Sequence, residues 1–83
     1  MNGTVIDINQ PRGMVALETE DGEYSIIELL GDDVEIGDVL KWADDNPLGG
    51  ETIRNLTQGE MIDVYFQNHS VPRSELRQQL LYE

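Results

Sequence analysis

Carboxylates crowd one short stretch of this chain, where Asp32, Asp33, Glu35 and Asp38 are followed closely by Asp44 and Asp45. Convergent carboxylate oxygens are what Ca²⁺ or Mg²⁺ requires. The spacing is not that of an EF-hand loop, so Asp32, Asp33 and Asp38 are metal candidates by residue type alone. A solvated acidic loop is the expected reading. His69 is the only histidine and no cysteine accompanies it. A general base needs a pocket and a partner to tune it, and neither is specified around His69, which is expected on a surface or in a turn. Ser70 and Ser74 lack a nucleophile elbow and suit the start of a helix. No spacing singles out a carboxylate pair for acid/base work. The chain is therefore expected to be non-catalytic and to carry no cofactor.

The elements that would position these residues are mostly strands. Thr4, Ile6 and Ile8 alternate with Val5 and Asp7, the period of a strand. Asn9-Gln-Pro-Arg-Gly13 is a turn, since Pro11 presets one backbone angle and Gly13 permits a positive one. Met14 to Glu20 alternates again, with Val15 and Leu17 on one face and Ala16 on the other. Asp21-Gly22 is a hairpin signal leading to a third strand from Glu23 to Leu30. Gly31 to Asp38 connects to a fourth strand, Val39 to Trp42, whose Leu40 and Trp42 share a face. Trp42 is expected in the core. Asp44 to Gly50 is a loop, Glu51 to Leu56 a short fifth strand, and Met61 to Phe66 a strand with Ile62, Val64 and Phe66 inward. From Pro72 the period changes, and Leu76, Leu80 and Leu81 fall at helical spacing. That leucine stripe is an interaction surface, either for an open end of a barrel or for a second copy. A strand at 61–66 outside a closed barrel would leave an edge able to pair across a homodimer.

Charge separates the possible partners. The chain has 83 residues with seventeen acids and five bases, a net charge of −12. Residues 1–69 hold fifteen of the acids against Arg12, Lys41 and Arg54, while residues 70–83 balance Arg73 and Arg77 against Glu75 and Glu83. Nucleic-acid affinity depends on cations that neutralise phosphates, so this field disfavours a polyanion, and anionic membrane surfaces with it. No apolar run is long enough to span a bilayer, and a cytoplasmic protein is expected.

Gly3-Thr4-Val5, Asn9 and Arg12-Gly13 resemble the opening motif of bacterial cold-shock domains, which are five-stranded OB-fold barrels. Val34-Glu-Ile-Gly37 and Thr52-Ile-Arg-Asn-Leu56 extend the similarity more loosely, over about residues 3–57. The chain as a whole is also similar to small bacterial proteins with no assigned activity. The cold-shock resemblance implies binding of single strands by stacking bases on aromatics of the first three strands. Carried over, those positions become Asp7, Met14 and Ala16, with Tyr24 or Ser25 in the third strand.

The fold expected is mainly β: a small OB or cold-shock-like five-stranded barrel with an added strand and a short C-terminal helix. Residues 1–69 form the barrel domain, with the extra strand at about 60–67, and residues 70–83 form the helical tail. The function expected is an acidic binding or adaptor module for a basic protein, in one version a nucleic-acid mimic. The alternative is a cold-shock-like single-strand binder using Arg12, Tyr24, Lys41 and Arg54.

Overall fold

Two turns set the opening meander. The structure, a computed structural model, describes residues 1–43 and 46–82. β1 (Asn2–Asn9) leads through a 3-10 turn at Gln10–Arg12 into β2 (Met14–Thr19). Gly13 closes that turn at φ 66, donating its N–H to the Gln10 carbonyl. Gly22, at φ 82, performs the same service between β2 and β3 (Tyr24–Leu29). Strict alternation fails within β1. Its register passes from Val5↔Leu17 to Asp7↔Ala16, leaving Ile6 as the extra residue of a bulge. Val5 and Ile8 accordingly pack inside the barrel and Ile6 outside it. A bulge reverses the phase of the pleat, which period-two reading of the sequence could not register.

β4 (Val39–Lys41), β5 (Gly49–Asn55) and β6 (Glu60–Val71) complete a closed barrel in the order β1-β2-β3-β6-β5-β4. Every neighbouring pair, including β4 with β1, is antiparallel. This corrects the expectation of five strands with a sixth added outside. A ring of strands alternating in direction must have an even number of members, so five would force one parallel pair. β3 and β5 run the same way here, and β6 lies between them, antiparallel to both. β6 pairs with β5 from Glu60 to Phe66 and with β3 from Val64 to Val71, so its middle is covered on both sides. The strand also runs further than expected, through Val71.

Two apolar clusters result. The barrel interior is filled by residues including Val15, Leu17, Leu40, Ile62, Val64 and Phe66, with Trp42 edge-on to Phe66 at 5.2 Å. The second cluster lies outside the barrel, where Met14, Ala16, Tyr24 and Ile26 of β2 and β3 meet Val71, Leu76 and Leu80. β2 is thus buried on both faces from Met14 to Leu17. The C-terminal segment forms a 3-10 turn at Arg73–Glu75 and a single α turn, α1 (Leu76–Gln79). One turn of helix has no stability alone and depends on this packing. Burying Leu80 contributes about 1.5–3 kcal/mol. Among the described residues no helix is long and apolar enough to cross a membrane.

Candidate functional site

The outer face of β1–β3 is where the cold-shock resemblance would seat stacked bases, and the chain's own C-terminus occupies it. Met14 and Ala16 lie under Leu76 and Leu80. Tyr24 lies on this face, but it is 5 % exposed and belongs to the same cluster, while Ser25 meets His69. The Tyr24 hydroxyl accepts from Arg73 Nη1 at 3.1 Å. Asp7 accepts from the Tyr82 hydroxyl at 2.8 Å. The buried Asn9 amide donates to the Leu80 carbonyl at 2.7 Å. The Tyr82 phenol is held above its ordinary 10.0, first by its hydrogen bond to Asp7, then by burial and by the Asp7 charge, with Arg77 pulling the other way.

 

The four residues of the nucleic-acid alternative fall in three places. Tyr24 is beneath the tail. Arg12 is exposed beside Gln78, Gln79 and Leu81, at the seam between tail and barrel. Only Lys41 and Arg54 come together, as register partners of β4 and β5 on the far side of the barrel. The leucine stripe also divides. Leu76 and Leu80 are buried on β2 and β3, covering a barrel wall and not an open end. Leu81 is 47 % exposed, its backbone turned into the left-handed region at φ 63.

The acidic connection is a structural knot. Asp38 is 3 % exposed, and its Oδ2 accepts from the Glu35 amide at 3.0 Å, Asn55 Nδ2 at 2.9 Å and Gln58 Nε2 at 3.1 Å. Burial pushes its carboxyl up, but these three donors outweigh it and hold the group below its ordinary 3.8. Asp32 Oδ2 accepts from the Asp63 amide at 3.0 Å, and Asp33 is exposed. Asp44 and Asp45 lie outside the described residues. Among the described residues no three His, Asp or Glu side chains are placed to hold a metal ion.

His69 is not the surface residue its sequence context suggested. It is half-buried, its ring stacks on Phe66 at 5.1 Å, and its Nδ1 lies 2.7 Å from Ser25 Oγ. Nε2 meets the Pro47 carbonyl. A carbonyl only accepts, so Nε2 carries the proton, and in the neutral ring Nδ1 accepts from the serine hydroxyl. Ser25 is 2 % exposed, so the pair joins β3, β6 and the 46–48 loop without offering a reachable nucleophile. Ser25 and His69 are 44 positions apart, and no local signal in the sequence links them. Ser70 lies within β6, and Pro72 caps the following turn without a side-chain hydrogen bond. No protein-family model matches the chain, and no curated protein or solved structure matches it either.

Proposed function

We propose that this chain is a non-catalytic, cytoplasmic protein-binding module, a relative of OB and cold-shock barrels that has exchanged nucleic-acid binding for docking a basic partner. The observation that carries the reading is the C-terminal segment seated on the outer face of β1–β3, with Leu76 and Leu80 over Met14, Ala16 and Tyr24. A stacking platform must present ring faces to solvent, and Tyr24 does not. The β1-β2-β3 meander with β4 returning to β1 supports the kinship. Exposed Glu18, Glu20, Asp21 and Glu23 around the β2–β3 hairpin add a local negative surface to the −12 field, which steers a cationic partner and repels phosphate. In the mimic version that surface occupies a partner's phosphate-binding groove.

Two measurements test this. Anisotropy titration with labelled single-stranded oligonucleotides at low salt is expected to give no saturable binding. Co-purification is expected to recover a basic protein in a salt-sensitive manner. Sub-micromolar oligonucleotide binding would restore the cold-shock alternative.

A further inference from the structure

Two cations on an acidic protein ordinarily find carboxylates, yet Lys41 and Arg54 find each other. They are direct partners across β4 and β5, and both are exposed. Like charges directly opposite one another destabilise a sheet. The row continues from Asn2 on β1 through Lys41 and Arg54 to Met61 on β6, crossing four strands without an acid. Neither cation makes an ion pair or side-chain hydrogen bond among the described residues.

Beside the pair the surface is hollowed. A depression of about 380 Å³ is lined by Lys41, Arg54, Thr52, Leu56, Met61 and Trp42. A second, of about 250 Å³, adjoins it through Arg54, Leu56 and Met61. Leu56 and Met61 are 45 % and 53 % exposed. Trp42 is 4 % exposed and packs in the barrel interior, and its buried Nε1–H finds no acceptor among the described residues.

We propose that this face of β4–β6 receives a carboxylate-bearing segment of the partner protein, the carboxylate on Lys41 and Arg54 and a flanking apolar side chain on Leu56 and Met61. Charge complementarity selects the occupant. A nucleic acid would bring a run of phosphates into a −12 field with two cations to meet them. A peptide brings one or two carboxylates. The inference rests on the protein-binding reading and adds the chemistry of contact: the acidic field draws the partner, and the cation pair fixes its register.

The test uses the full chain and two short fluorescein-labelled peptides, one alternating leucine with glutamate and one alternating leucine with lysine. The glutamate peptide is expected to bind saturably. Its affinity is expected to fall roughly tenfold or more in Lys41→Ala/Arg54→Ala and in Arg54→Glu, and to be unchanged in Arg12→Ala. Both variants relieve a like-charge contact on an exposed face, so their melting temperatures should stay level or rise. Absence of saturable binding, or equal affinity in the variants, would overturn the proposal. So would self-association or oligonucleotide binding that the same variants abolish. Binding of the lysine peptide alone would remove this site and leave the acidic-module reading standing; failure of both peptides and of basic-protein recovery would remove that reading as well.

Discussion

The Tyr82 hydroxyl stands 2.8 Å from Oδ1 of Asp7 and 2.9 Å from the Ile8 carbonyl, fastening the end of the described chain to its first strand. One proton serves both acceptors, and a phenolate there would face a carboxylate. The folded phenol therefore ionises above its ordinary 10.0. A group whose pKa folding raises contributes stability that is whole below the unfolded value and is lost as pH rises through the folded one. Stability is expected to decline from about pH 10 upward in the native chain, and this limb should flatten in Tyr82→Phe. At neutral pH the same variant is expected to lose about 1–2 kcal/mol, measured by urea unfolding.

Leu80 and Leu81 are adjacent in sequence and opposite in consequence. Leu80 is fully buried and Leu81 is 47 % exposed. Leu80→Ala is expected to cost about 2–5 kcal/mol, since it opens the cluster over Ala16 and Ile26. Leu81→Ala should stay within about 0.5 kcal/mol. Denaturant midpoints of the two variants check this. Equal midpoints would mean that the segment does not rest on the barrel in solution.

Most of the strands were legible from local alternation and turn residues, although the bulge at Ile6 breaks the alternation of β1. Asp21-Gly22 places one hairpin, and Ile62, Val64 and Phe66 point inward as their spacing implies. The closure was not legible. Whether β6 lies inside or outside the ring depends on the directions of β3 and β5, a property of the whole topology. Met14 and Ala16 show the same limit at the site. Their outward face looks solvent-bound in a half-buried strand, and only the docking of Leu76 and Leu80 explains why both are apolar. Lys41 and Arg54 were identifiable as cations, but their opposition requires the β4–β5 register.

Asp38 ties the 34–38 connection to the β5–β6 turn through Asn55 and Gln58. Asp38→Ala leaves three N–H donors without their acceptor and is expected to cost about 3 kcal/mol. Its carboxyl is depressed on folding, so its contribution is whole above the unfolded value of 3.8 and is lost as pH falls through the folded one. Acid unfolding followed by circular dichroism should accordingly lose part of its steepness below about pH 4 in Asp38→Asn. Addition of Ca²⁺ should leave the native melting temperature unchanged, because the Asp38 oxygen is already taken by N–H groups.

The Ser25–His69 pair yields a prediction whose sign depends on removing both partners. Ser25→Ala strips the acceptor Nδ1 of its donor, and His69→Phe leaves a buried serine hydroxyl unpaired. Each is expected to cost about 1–2 kcal/mol. In the double variant no polar group is stranded at that contact, and the new ring can still lie against Phe66, so the two losses should not add. A double-mutant cycle by chemical denaturation reads the coupling directly. Strict additivity would mean that the serine hydroxyl and the imidazole do not meet in solution, and that β3 is joined to β6 at this point by backbone pairing alone.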